Sequence, residues 1–201
     1  MTPIANTSNP NHVLTPTITL PEAENRFVLF MAGTDATLPT SASINGLEMT
    51  LFADSGAHDE KARIWGLVIP NSWVAGAYTV TRDGGHTQRR WWLAGFSGVA
   101  KDPVVDADGK RGGSAYSDSS SLTVDCVDGG WVHDVIVAYP AKTAGAGQTV
   151  IYNVTENAGI SYKSNLTEGT ATMYWTWTDS RWAHAVVSLR PAKASRGIIM
   201  F

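Results

Sequence analysis

From Asn25 to Pro191 the chain is a succession of short apolar or alternating runs, each cut off by Gly, Pro or Asp. Nowhere do apolar residues recur at the 3.6-residue period of a helix over a helical length. That pattern predicts strands at Arg26–Met31, Ile44–Phe52, Ile64–Ile69, Tyr78–Thr81, Arg90–Phe96, Leu122–Val127, Val132–Tyr139, Thr149–Val154, Thr170–Thr178 and Trp182–Leu189. Pro70 and Pro140 stop two of them, and Asp83-Gly84-Gly85 and Asp128-Gly129-Gly130 supply strong turns. Strands this short and this evenly punctuated fit an all-β, antiparallel β-sandwich of jelly-roll-like type. Period-2 reading puts Met173, Trp175 and Trp177 on one face of their strand. In the next strand Ala183, Ala185, Val187 and Leu189 share a face, with His184 and Ser188 opposite. A turn at Asp179–Arg181 would make these two strands a hairpin whose small alanines face the large tryptophans. No internal repeat is visible in the sequence.

Composition narrows the function classes. The 201 residues suit one domain and bury enough surface to fold without disulfides or metals. Charged residues are only 16% of the chain, and 15 Lys+Arg against 18 Asp+Glu leave no positive field for nucleic acid. The longest apolar stretch, Phe27 to Ala32, is far too short to span a bilayer as a helix, so no membrane role is expected. The first 21 residues contain no charge and therefore no basic leader region, which predicts folding in a cytoplasm. Cys126, the single cysteine, lies between Val124 and Val127 and reads as a small buried hydrophobe.

The two ends differ from the middle. Residues 1–24 carry Pro3, Pro10, Pro16 and Pro21 and read as an extended N-terminal arm ahead of a sandwich domain at 25–191 and a tail at 192–201. Ile4, Val13, Leu14 and Ile18 give the arm apolar groups to bury, either as a first edge strand or across a neighbouring subunit. The tail ends on Ile198, Ile199, Met200 and Phe201, an apolar group expected to dock on a partner or on its own domain.

No catalytic constellation emerges. Among the six glutamates only Glu22 and Glu24 alternate, and they belong to the arm, outside any plausible cleft. Gly95-Phe96-Ser97-Gly98-Val99 is not a nucleophile elbow, and the neighbours His133 and Asp134 point to opposite strand faces and cannot orient each other. The histidines lack ligand spacing, and Ala144–Thr149 lacks the lysine of a phosphate loop. Asp106-Ala107-Asp108-Gly109 fails the calcium-loop pattern and leaves at most a disfavoured loose calcium site at Asp102, Asp106 and Asp108. No metal, cofactor or enzymatic activity is therefore expected. What remains is aromatic surface: Trp73 in a turn, and Trp91-Trp92, consecutive in a strand so that one ring faces away from the core. Either could stack on a sugar or anchor an interface.

A further set of residues carries a resemblance. In order they are Asn45-Gly46-Leu47, Ile64-Trp65-Gly66-Leu67 with Pro70, Gly76-Ala77-Tyr78-Thr79-Val80-Thr81, and Phe96-Ser97-Gly98-Val99 with Pro103. Ala144–Thr149 follows, then Trp182-Ala183 leading to Ser188-Leu189-Arg190-Pro191-Ala192. Over residues 25–192 this resembles a β-sandwich family of tailed-phage virion proteins and bacterial surface proteins. Asn45 departs from the family's glycine there, but Asn tolerates left-handed backbone. The resemblance implies a packing pattern with no catalytic residues. It implies a virion structural protein that decorates a capsid, assembled in the host cytoplasm, with the major capsid protein or another virion protein as partner and a homo-oligomeric state. The alternative it leaves is a tail- or fibre-associated module that binds a glycan.

Overall fold

The computed structural model describes residues 1–9, 16–34, 37–56, 60–83, 90–112, 116–153 and 158–193. Seventeen strands fill these segments. The first nine are β1 (Thr2–Asn9), β2 (Thr17–Leu20), β3 (Phe27–Thr34), β4 (Ala42–Ile44), β5 (Leu47–Glu48), β6 (Thr50–Asp54), β7 (Lys61–Val68), β8 (Gly76–Arg82) and β9 (Arg90–Ser97). The next eight are β10 (Val99–Arg111), β11 (Ser117–Cys126), β12 (Gly130–Ala138), β13 (Thr143–Ala144), β14 (Thr149–Asn153), β15 (Ala158–Leu166), β16 (Gly169–Ser180) and β17 (Trp182–Pro191). All pairings are antiparallel.

The sheets divide the chain at Gly98. Before it, β1-β9-β3-β7-β6 forms one sheet and β2-β8-β4-β5 the other; after it, the sheets are β10-β17-β12-β15-β14 and β11-β16-β13. Substituting β10 for β1, β11 for β2, β12 for β3, β13 for β4, β14 for β6, β15 for β7, β16 for β8 and β17 for β9 turns one half into the other, apart from the two-residue β5, which has no counterpart among the described residues. Each half is a jelly roll, and the fold is a tandem of two. The duplication is one of topology, which is why no repeat shows in the sequence. Smaller features recur as well. Both halves carry a bulge at the same place in the sheet edge, between Leu51 and Ala53 and between Val150 and Tyr152. Both outer sheets carry a threonine pair between equivalent strands, Thr17 with Thr79 (3.0 Å) and Thr123 with Thr172 (2.8 Å).

Four layers result. The two five-stranded sheets lie face to face in the middle and bury Phe27, Leu29, Met31, Ile64 and Phe96 against Val135, Val137, Ile160, Val187 and Leu189. Their other faces are covered by the smaller sheets: Val28, Phe30 and Trp65 pack with Ile18, Leu20 and Val80, and Val132 and Val186 pack with Leu122, Val124 and Met173. Strands buried on both faces lose the alternation of a half-exposed strand, and β3 is buried at every position. Cys126 is buried in the last of these layers, as its apolar neighbours predict.

At one side of the central interface β10 crosses β6 at very short range. A Cβ built on Gly109 would lie 2.3 Å from the Asp54 carbonyl oxygen and 2.5 Å from its carbon, so only glycine allows this approach. Because the obstacle is backbone, Gly109→Ala is expected to lose about 1–3 kcal/mol by forcing the seam apart. A urea midpoint equal to that of the parent protein would contradict this.

Four expectations need correction. Residues 2–9 and 17–20 take the edge-strand reading rather than that of an arm apart from the body, because β1 pairs along β9 and β2 along β8. The body is not one sandwich over 25–191 but two that begin with these strands. Trp182–Leu189 is not the second arm of a hairpin: β16 and β17 belong to different sheets, and the β17 alanines face the other jelly roll. Finally, β10 and β15 were not apparent as strands. In β10 the run Lys101, Asp102, Pro103, Asp106, Asp108, Gly109, Lys110, Arg111 hides a strand that survives because it is a sheet edge, with register shifts around Val104.

Candidate functional site

Of the residues expected at a partner surface, Ile18 is core, only 2% exposed, because its strand turns it inward onto the first inner sheet. Ile4 is half-buried against the same core. Val13, Leu14, Ile198, Ile199, Met200 and Phe201 lie outside the described residues. Trp91 and Trp92 are not surface aromatics. They do point to opposite faces, but their sheet is covered on both, so Trp91 packs inside the first jelly roll and Trp92 between the two. Trp73 is half-buried and stacked on Tyr78 at 5.1 Å, and its carbonyl accepts from the Arg26 guanidinium. It borders a shallow cleft of about 450 Å³ with Glu22 and Glu24, so that glutamate pair does lie at a cleft, though both side chains are exposed.

Asp102, Asp106 and Asp108 are spread along β10. The Asp106 carboxylate accepts from the Asp125 and Ala107 amides, tying β10 to β11. Among the described residues no group of three or more His, Cys, Asp or Glu is placed to hold a metal.

Two constellations were not apparent from the sequence. The first is a polar network between the sheets of the second jelly roll. Asp134 and His133 do face opposite ways, as expected, and Asp134 finds a different histidine: His184 Nε2 lies 2.9 Å from Asp134 Oδ2. Ser120 Oγ is 3.0 Å from His184 Nδ1, which completes a Ser–His–Asp chain. The carboxylate also accepts from Trp175 Nε1 (2.7 Å), from Ser161 Oγ (2.5 Å) and from the Ser161 amide (3.1 Å). Its four acceptor sites are thus filled, and the donors come from β15, β16 and β17, with Ser120 on β11 reached through the histidine. Asp134 and His184 are fully buried and Ser120 is 5% exposed. The serine sits on Nδ1 and the aspartate on Nε2, the reverse of the hydrolase arrangement. In this setting the network ties an inner sheet to an outer one.

The second constellation surrounds His133, on the opposite face of β12. A cavity of about 120 Å³ opens between β1 and β14 and is lined by Trp92, Phe96, Trp131, His133 and Tyr162, with Ile151 and Asn6 at its rim. The His133 ring lies 5.3–5.9 Å from the rings of Phe96, Trp92, Tyr162 and Trp131, three of them at shallow angles. His133 is completely buried, yet neither ring nitrogen meets a protein partner, and the indole N–H of Trp131 has none either. Burial alone pushes the His133 imidazole down to about 3, so the ring is neutral at physiological pH. No pattern of spacing flags this site, since its walls come from strands of both jelly rolls.

Compared with known proteins, the chain matches no family model and no curated relative.

Proposed function

We propose that this chain is a structural protein of a phage virion that decorates the capsid lattice, as a homo-oligomer bound to the major capsid protein or another virion protein. The observation that carries this reading is the tandem jelly roll itself. Two inner sheets buried on both faces make a stiff four-layer block, and jelly rolls are a recurrent building unit of viral shells. The residues of the family resemblance sit where such a block needs them. Asn45 (φ 48°) and Gly46 (φ 78°) make the left-handed turn between β4 and β5, with asparagine standing in for the family's glycine. Trp65 is buried at the centre of β7, and Phe96–Val99 joins the two jelly rolls.

Among the described residues, the exposed apolar side chains open to partner contact lie outside the arm. Leu47, Leu51, Val68 and Val74 on the first half, and Tyr116, Tyr139, Val150 and Tyr174 on the second, are large apolar or aromatic side chains left exposed. The measurement that tests the reading is copy number in purified particles against the major capsid protein. A stoichiometry near that of the lattice is the expected result. A few copies per particle would move the protein to a tail or fibre and favour glycan binding there. Absence from particles would overturn the proposal.

A further inference from the structure

The duplication supplies an internal control for the His133 cavity. The pairings Phe27 with Phe96 and Trp131 with Leu189 align β3 with β12 and β9 with β17. His133 then stands at the position of Leu29, and its neighbour Tyr162 at that of Gly66, the partner of Leu29. Trp92, Phe96 and Ile151 correspond to Ala185, Leu189 and Phe52. In the first jelly roll this set, Leu29 with Phe27, Phe52, Ala185, Val187 and Leu189, is continuous apolar core beneath the β6–β10 seam. Among the described residues the corresponding β14–β1 seam is not closed in this way, and the cavity lies there between Asn6 and Ile151. One fold, used twice, is filled with apolar side chains at one site, Phe27 and Phe52 among them, and at the other leaves a cavity lined with four aromatic rings around an unpartnered histidine.

We propose that this cavity is a binding site for a small uncharged ring that carries hydrogen-bonding groups on its edge. This inference does not rest on the virion reading. Ring faces fit the walls, where Trp92, Phe96, Trp131 and Tyr162 offer flat apolar surface. At about 120 Å³ the cavity is smaller than the roughly 150 Å³ apolar cavity that takes benzene, so a ring would sit partly in its mouth rather than be enclosed. The two His133 nitrogens, one a donor and one an acceptor in the neutral ring, and the Trp131 N–H are buried without partners behind the ring walls, and a small displacement of those rings on binding would present them to polar edge groups. Buried groups of this kind require a partner, and the fold leaves theirs open. Charge does not fit, because among the described residues no carboxylate, lysine or arginine lines the cavity and its one histidine is neutral at physiological pH. A pyranose and a hydroxylated aromatic ring share this chemistry.

The test uses the full chain labelled with ¹⁵N at histidine and tryptophan, titrated separately with methyl β-D-glucopyranoside, methyl β-D-galactopyranoside and phenol, with benzoate as the charged control. Saturable shifts of the His133 nitrogens and the Trp131 indole are expected with pyranosides or with phenol, which distinguishes the two sources, and not with benzoate. The His133 signal is assigned by its loss in His133→Leu, a variant that installs the residue the first jelly roll carries at the matching position and therefore keeps the fold. In that variant the Trp131 response should weaken at least about tenfold, the loss of a buried hydrogen bond. The proposal is overturned if neither pyranosides nor phenol shift these signals, if benzoate binds as well as phenol, or if His133→Leu binds as the parent does.

Discussion

Asp134→Ala is expected to cost about 3–5 kcal/mol, because it removes the acceptor of four buried hydrogen bonds at once and each stranded donor costs about 1–3 kcal/mol before the site relaxes. The size follows from what is left behind. Without the carboxylate, the His184 Nε2 hydrogen, the Trp175 indole, and the Ser161 hydroxyl and amide are all buried without their acceptor. No water can reach them cheaply, since Asp134, His184, Ser161 and Trp175 are all fully buried. A domain's whole stability is about 5–15 kcal/mol, so the second jelly roll would be marginal. Ser120→Ala, at the far end of the chain of bonds, should cost only about 1 kcal/mol. Urea unfolding of both variants measures the contrast, and a double-mutant cycle with His184→Ala isolates the pair. If Asp134→Ala costs no more than Ser120→Ala, the network is not what ties the two sheets together.

The network also shows where sequence reading stops. That His133 and Asp134 face opposite ways follows from the two-residue period of a strand, and so does the separation of His184 from its alanine neighbours. Both were legible, as were the fold class, most strand positions and the left-handed turn at Asn45. Partner identity was not. Asp134, His184, Trp175 and Ser120 come from four strands in two sheets, and the sandwich that joins them depends on strand order, which turn spacing does not encode.

The same limit explains the tryptophans. Consecutive rings must face opposite ways, which suggests that one is exposed only if the sheet has a wet side. Here the sheet holding Trp91 and Trp92 has none, because a second jelly roll covers the face that a lone sandwich would show to solvent. The duplication itself was hidden because it survives in register and bulge position while the side chains have diverged. Leu29 against His133 is the sharpest divergence, and the one that makes a cavity.

That divergence should be readable as acid sensitivity. In the folded protein His133 stays neutral down to about pH 3, whereas in the unfolded chain it takes up a proton near 6.5. Between those values the unfolded state binds more protons, so acid favours unfolding; above 6.5 the residue contributes no pH dependence. Through that window the parent protein should lose up to about 1.4 kcal/mol for each unit of falling pH on account of this group alone. His133→Leu removes the titration and the unpartnered nitrogens together. At pH 7 it should be more stable by about 1–3 kcal/mol, the cost of leaving a buried polar group unsatisfied. At pH 4.5 the gap should widen, since every carboxylate that also responds to acid is common to both proteins. Urea midpoints at the two pH values decide it. Parallel pH profiles would mean that His133 is protonated in the folded state, held there by the surrounding ring faces, and the cavity would then carry a cation of its own. A wider gap at low pH would identify a site where stability is lower so that a polar, uncharged lining can be kept.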